Sequence, residues 1–407
     1  MARRRMNRSW VFVVALLGCL VGAGSAVFGA PAAGPEPGVL APKLVNERPL
    51  FTGDIPAYKR PNQYAAWSMR LSPGGKHVLY SRPKPGQKVD PTGLESLRKA
   101  AYELVLHELA TGKETVLPVA LVDDEVRSGY TRYNFFAPAG DRLLLMYSND
   151  QKPNPMMFKC YDISTATFVT PQVKGRQLFA KFDRTGAGLI FVSADETTRA
   201  LRLFTSHPNG EELRELKAKG LPSAVCPTAD VACVWTPPEP LPPKATGDRP
   251  ERGPQRLALY DLAADKEIAE LPLNQANSKL DDWECQWTSD GRYLYYYDVR
   301  DAKTSFTHAW DRVGGKSVAE VDDAVAVGPG PTPTTMFLAR LRWTLNEPSK
   351  GFLLHDAGTG KSWALGEGTD LIHAWGRTAL YSKKDAAGVE VPYVAEIQMG
   401  DGASAVK

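Results

Sequence analysis

Leu71-Ser72-Pro73-Gly74-Gly75-Lys76-His77-Val78-Leu79-Tyr80 decides how this chain is read, because the phrase comes back. Ala137-Pro138-Ala139-Gly140-Asp141-Arg142-Leu143-Leu144 is one degraded copy, and Asp183-Arg184-Thr185-Gly186-Ala187-Gly188-Leu189-Ile190-Phe191 is a second. Trp287-Thr288-Ser289-Asp290-Gly291-Arg292-Tyr293-Leu294-Tyr295 is a third. Each runs from a strand through a tight polar turn into an apolar strand. Repetition of such a unit predicts a repeat architecture of the β-propeller kind.

The turn can be followed along the chain at Gly75, Gly140, Gly186, Ala229, Gly291, Thr335 and Gly376. Successive gaps are 65, 46, 43, 62, 44 and 41 residues. The two long gaps coincide with insertions, Pro83 to Ala101 and Thr236 to Pro254. Without them the period is about 40–50 residues, the length of one four-stranded blade. A second phrase supports the count. It reads Leu106-His107-Glu108-Leu109-Ala110-Thr111-Gly112, and returns as Cys160-Tyr161-Asp162-Ile163-Ser164-Thr165-Ala166, Leu259-Tyr260-Asp261-Leu262-Ala263-Ala264-Asp265 and Leu354-His355-Asp356-Ala357-Gly358-Thr359-Gly360. An aromatic–acid pair followed by small residues is a hairpin connection, so each unit carries two hairpins and four strands. The expected fold is all-β: a single propeller of seven blades, with six as the alternative. The seventh blade needs an outer strand from Lys43 to Tyr58 or from Ala403 to Lys407, because an open blade leaves an unpaired edge.

The repeat resembles that of TolB-type propellers, which also occurs in the propellers of prolyl-oligopeptidase-like enzymes. The phrases at Ser72–Lys76 and Thr288–Tyr295 carry the resemblance, which spans residues 64–400 at the level of architecture. It implies the fold and leaves the activity open. The chain departs from both groups: it has little before the first repeat to match the TolB N-terminal domain. It has no Gly-x-Ser-x-Gly elbow and no room for a hydrolase domain.

The N-terminus places Arg3, Arg4 and Arg5 before an apolar run from Trp10 to Val21 and small residues up to Ala26. This is the pattern of a secretory signal peptide over residues 1–26. The run is shorter than the roughly 20 apolar residues of a spanning helix. Leu16-Leu17-Gly18-Cys19 offers a rival reading, lipidation at Cys19, which alone would bring the chain to a membrane. Residues 27–48, rich in Ala, Pro and Gly, read as a disordered linker, with the propeller over 49–407. The net charge of +3 belongs to the leader: without residues 1–26 the chain holds 45 basic and 46 acidic side chains, a net of −1. That excludes the basic footprint of a nucleic-acid binder. The expected location is periplasmic or extracellular, and the expected state monomeric.

Cys226 and Cys233 flank a turn and are candidates for a cross-strand disulfide, with two packed thiols as the alternative. Cys160 and Cys285 lie in strand-like runs and read as core residues. Gly315-Lys316-Ser317 and Gly360-Lys361-Ser362 look like phosphate loops, but Trp310 and His355 stand where a Walker loop has its first glycine. His107 and His355 share a slot with Tyr161 and Tyr260, which argues for packing beside a turn. His308 and His373 fall near blade edges, where they would face the central channel. Asp281, Asp282 and Glu284 precede the fifth unit, Asp123, Asp124 and Glu125 the second, and Asp370 the seventh. Carboxylates gathered at a channel mouth are weak candidates for Ca²⁺, since no Asp-x-Asp-x-Asp-Gly loop is present. The aromatic stretch Trp283, Trp287, Tyr293, Tyr295, Tyr296, Tyr297, Phe306 and Trp310 is expected to pack between blades. No catalytic residue and no cofactor follows. The leading expectation is a binding or scaffolding propeller for a protein or cell-envelope polymer. The alternative is a lactonase- or lyase-like enzyme using Ca²⁺.

Overall fold

The structure is a computed structural model that describes residues 41–51, 69–86, 102–118, 135–148, 156–169, 176–194, 200–236, 255–274, 285–299, 304–341, 350–384, 386 and 390–400. It is a seven-bladed β-propeller of four-stranded antiparallel sheets. Strand β1 (Lys43–Pro49) comes first in the chain. Blade 1 follows with β2 (Arg70–Leu71), β3 (His77–Pro83), β4 (Tyr102–Glu108) and β5 (Glu114–Val116). Blade 2 holds β6 (Phe135–Phe136), β7 (Arg142–Ser148), β8 (Met156–Asp162) and β9 (Thr167–Val169). Blade 3 holds β10 (Arg176–Phe182), β11 (Leu189–Ala194), β12 (Leu201–Ser206) and β13 (Arg214–Leu216). Blade 4 is β14 (Leu221–Val225), β15 (Val231–Thr236), β16 (Arg256–Asp261) and β17 (Lys266–Leu271). Blade 5 is β18 (Cys285–Trp287), β19 (Tyr293–Val299), β20 (Ser305–Asp311) and β21 (Lys316–Asp322). Blade 6 is β22 (Ala324–Pro329), β23 (Thr335–Arg340), β24 (Phe352–Asp356) and β25 (Lys361–Leu365). β26 (Asp370–Trp375), β27 (Thr378–Lys384) and β28 (Glu390–Gln398) make blade 7, with β1 as its outer strand.

Burial follows position within the blade. Second strands such as β11 and β15 are buried almost throughout, because both faces of the sheet lie against a neighbouring blade. The outer strand β21 alternates exposed and half-buried residues. The described residues form seven hydrophobic clusters, and each spans one interface between adjacent blades. One joins Tyr80 and Val105 of blade 1 to Leu380 and Val394 of blade 7, which closes the ring. Five residues of the aromatic stretch divide between two of them, while Trp283 lies outside the described residues. Trp287, Tyr296 and Trp310 pack toward blade 4, and Tyr293 and Tyr295 toward blade 6. Alternation of side chains along a strand produces this division.

The recurring phrase has a second role beyond turning the chain. In blades 1, 2, 3 and 5 the residue that opens the turn donates an N–H to the carbonyl five positions on, as Ser72 to His77 and Thr288 to Tyr293. The glycine three positions on donates back, as Gly75 to Ser72 and Gly291 to Thr288. That glycine also touches the neighbouring blade's inner hairpin. A Cβ on Gly291 would stand 2.2 Å from Thr228 Oγ1 and 2.7 Å from Cys226 Sγ in blade 4. A Cβ on Gly75 would stand 2.3 Å from Thr378 Oγ1 of blade 7. The motif turns therefore form a ring of contacts between blades. Blade 4 keeps the first bond, Cys226 N–H to Val231 O, and replaces the glycine's return bond with one from Val231 to Ala229. In blade 6 the turn is Gly330–Thr334, closed by Gly330 N–H to Thr335 O. Thr335, expected in the turn, is the first residue of β23, and the matching slot is held by Pro333.

Of the two expected sources of the closing strand, Lys43–Pro49 provides it, pairing with β28 from Lys43↔Gln398 to Pro49↔Tyr393. The propeller thus begins at Lys43 and not at residue 49, and residues 43–48 are strand, not linker. Glu47 accepts hydrogen bonds from Tyr381 and Lys383 of β27. The Lys383 ammonium also lies 4.1 Å from the centre of the Tyr393 ring. Arg48 reaches into blade 1, donating to Leu109 O at 2.7 Å. Residues 1–40 lie outside the described residues, and with them the expected leader and Cys19.

Candidate functional site

A four-stranded antiparallel blade turns three times, so its first and third turns fall on one face of the ring. The second turn and the link to the next blade fall on the other. Every copy of both recurring phrases therefore lies on the first face. Such turns are short and satisfied from within: Asp162 Oδ1 accepts from Ser164 N and Thr165 N at 2.9 and 3.0 Å, and Asp356 Oδ1 from Gly358 N at 2.9 Å. The insertion after Pro83 separates β3 from β4, and that after Thr236 separates β15 from β16. The segment with Asp123 and Asp124 separates β5 from β6, and that with Asp281, Asp282 and Glu284 separates β17 from β18. All four segments are bounded by strand ends on the second face. The segments themselves, including these five acids, lie outside the described residues. Asp370 opens β26 at the same face and is half-buried.

Blade 5 shows how the second face is anchored. Asp298 is 1% exposed, yet its carboxylate is served: Oδ2 accepts from Asn274 N and Oδ1 from Val299 N, both at 2.7 Å. Tyr296 donates its hydroxyl to Pro272 O at 3.1 Å. The link from blade 4 is thus held at residues 272–274 just before the acidic segment begins. His308 Nε2 stands 3.6 Å from Asp298 Oδ2, and Nδ1 stands 3.6 Å from Glu320 Oε1 and 3.4 Å from Ser317 Oγ. Its ring stacks on Tyr296 with centroids 4.6 Å apart and meets Phe306 edge-on.

Ser317, His308 and Asp298 fall in a row that superficially matches a nucleophile relay. The geometry argues against that chemistry. Ser317 Oγ also lies 3.3 Å from Ala319 O, and the imidazole is buried between two aromatic rings. A general base must reach the proton it removes in a substrate pose. Here the row is a clamp that ties three strands together. His308 sits on the third strand of its blade, so the expectation that it faces the channel is corrected: the channel is lined by first strands.

His355 and the slot it shares are packing positions. His355, 2% exposed, bonds the Tyr295 hydroxyl at 2.6 Å, and burial pushes its pKa down to about 4. His107, Tyr161 and Tyr260 are buried at the corresponding slot, as the exchange of His for Tyr indicated. His373 does lie on a first strand. Burial and the Arg70 charge from blade 1 push it down to about 3.

Cys226 and Cys233, read either as a cross-strand disulfide or as two packed thiols, are buried and unbridged in the structure, as are all four described cysteines. The register explains this. Cys233 pairs with Ala224, while Cys226 donates its N–H to Val231 O, so the two are offset by two residue pairs along the hairpin. Cys226 Sγ instead donates to Gly291 O at 3.4 Å in blade 5. Cys233 Sγ lies 3.6 Å from Cys285 Sγ, a neighbour that spacing in the sequence did not single out. Among the described residues no cluster of three His, Cys, Asp or Glu could hold a metal.

No family model matches this chain, and no curated protein does. Solved structures do. The β-propeller domain of the Trilobed protease from Pyrococcus furiosus, of open velcro topology, aligns with a TM-score of 0.52 at 12% identity, over 81% of this chain and 96% of that one. An oligogalacturonate lyase from Vibrio parahaemolyticus aligns at 0.49 and 10% identity, covering 87% and 97%. TolB from Acinetobacter baumannii aligns at 0.40 and 13%, covering 80% and 82%. At such identities the likeness is one of fold. This chain seals its last blade with β1.

Proposed function

We propose that this chain is an exported β-propeller that binds a protein or a cell-envelope polymer through its second face. The observation that carries the reading is the division between faces. One face holds short, internally bonded turns that repeat from blade to blade. The other is where both insertions and the acidic segments depart from the frame. Variable connections on a rigid scaffold are where binding surfaces are built. The buried titratable groups support binding over catalysis, because His355, Asp298 and His308 are engaged by Tyr295, by backbone N–H groups and by aromatic rings. The leader directs export, and the near-neutral mature charge disfavours nucleic acid.

The test uses a photo-crosslinking amino acid in intact cells, at Ala245 in the second insertion or at Lys113 on the opposite face. Adducts from position 245 alone, in a periplasmic or surface fraction, are expected. Adducts of equal yield from both positions, or a protein confined to the cytoplasm, overturn the reading. Turnover of a lactone, ester or uronate substrate that depends on Ca²⁺ and is lost in Asp281→Asn/Asp282→Asn replaces it with the enzyme reading.

A further inference from the structure

Cys233 and Cys285 are 52 residues apart and belong to different blades, yet their sulfurs are 3.6 Å apart. Cys233 lies in β15, paired with Ala224 on one side and Leu259 on the other. Cys285 is the first residue of β18 and pairs with Tyr296. Both are buried within one hydrophobic cluster that includes Trp235, Trp287 and Leu294. We propose that Cys233 and Cys285 are joined as an inter-blade disulfide when the chain folds in an oxidising compartment.

Three observations carry the assignment. The thiols are already in contact, so bond formation needs about 1.5 Å of approach, within the reach of small side-chain rotations. Cys226, the nearest competitor in sequence, is directed at Gly291 O and is two residue pairs away on its own hairpin. The two strands are also the ones from which the second face is built: β15 runs out into the 237–254 insertion, and β18 receives the chain from the acidic segment. A covalent tie there holds the bases of both together.

The chemistry is thiol–disulfide exchange with an external disulfide donor. One cysteine thiolate attacks a donor sulfur and forms a mixed disulfide, releasing the first donor thiol. The second cysteine thiolate then displaces the donor, forming the Cys233–Cys285 bond and the second donor thiol. Two cysteine thiols are oxidised, one donor disulfide is reduced, and both protons end on the donor. Burial pushes the Cys233 thiol well up, and the native core shuts out a donor, so exchange occurs before blade 5 docks on blade 4. Once formed, the bridge is shielded from reductant by the same core.

The bridge does not rest on the binding proposal. The full chain is denatured and reduced, refolded in a mixture of reduced and oxidised glutathione, alkylated in denaturant, and digested without reductant for mass spectrometry. A peptide pair linked through Cys233 and Cys285 is expected, with Cys19, Cys160 and Cys226 alkylated. The same link should persist in Cys226→Ala and vanish in Cys285→Ala. The oxidised protein should melt about 4–7 °C above the reduced one. Full alkylation of Cys233 and Cys285 in natively refolded protein overturns the proposal, as does a Cys226–Cys233 link. If Cys285→Ala fails to fold, alkylation of the unsubstituted chain decides alone.

Discussion

Gly291 and Gly315 form a matched pair in blade 5, and replacing each by alanine separates two reasons for a glycine. Both have positive φ, 65° and 64°. Gly291 lies in the first turn of the blade against Thr228 and Cys226 of blade 4; a Cβ on Gly315 would meet nothing within 4 Å. Left-handed backbone costs a non-glycine residue about 1–2 kcal/mol, and both variants bear that cost. Only Gly291→Ala adds a methyl into the interface, 2.2 Å from a β-branched hydroxyl that donates to Asp290 O and cannot swing away freely. Overpacking of this kind costs about 1–3 kcal/mol more. With about 2.1 cal/mol/K of unfolding entropy per residue, that surplus lowers Tm by about 1–4 °C beyond Gly315→Ala. Differential scanning calorimetry of the two variants and of Gly291→Ala/Thr228→Ala measures it. The double variant should lose less than the sum of its parts, because the hydroxyl in the way is gone. Equal Tm losses for Gly291→Ala and Gly315→Ala, with strict additivity at Thr228, would refute the ring of turn contacts.

Deleting residues 43–49 strips β28 of its outer partner and exposes an edge. The truncated chain should aggregate on concentration, visible by light scattering, whereas the intact chain stays monodisperse. Burial raises the Glu47 pKa, but hydrogen bonds from Lys383 and Tyr381 outweigh it and the net shift is downward. The clasp is therefore fully present above the ordinary carboxylate range and weakens as pH falls through and below it. Hydrogen exchange in β1 should accelerate with acidification in the intact chain, and this pH dependence should largely disappear in Glu47→Gln. His355, held neutral to about pH 4 by burial despite Asp356, contributes stability that is complete above pH 6.5 and lost as pH falls toward 4. That loss is of order 3 kcal/mol. Its ring signals in NMR should not titrate above pH 5, and a midpoint near 6.5 would contradict the buried geometry.

Turn chemistry is local, and so was legible: a glycine and a polar residue at fixed offsets bend a chain in any context, and two phrases, each in four clear copies, set the period that makes seven blades the leading count. The slot shared by His107, Tyr161, Tyr260 and His355 was equally readable, since one position in four copies reports one environment. Where the local signal faded, the reading slipped. Without its glycine the sixth turn was placed two residues late, at Thr335 instead of Pro333. The segment Lys43–Pro49 resembles linker by composition, and only its pairing with β28 makes it strand.

The sequence by itself determined the repeat, its four-stranded unit and where its regular and irregular connections fall. Each of these depends on contacts a few residues long. Seven blades was the leading count, and the seven sheets settle it against six. The tertiary structure alone decided that the motif glycines touch the neighbouring blade, that Cys233 faces Cys285 and not Cys226, and that His308 lies under aromatic rings away from the channel. The first two facts come from the approach of segments 40 or more residues apart in sequence, which ring closure brings within a few ångströms; the third comes from the pairing of β19 with β20 inside one blade.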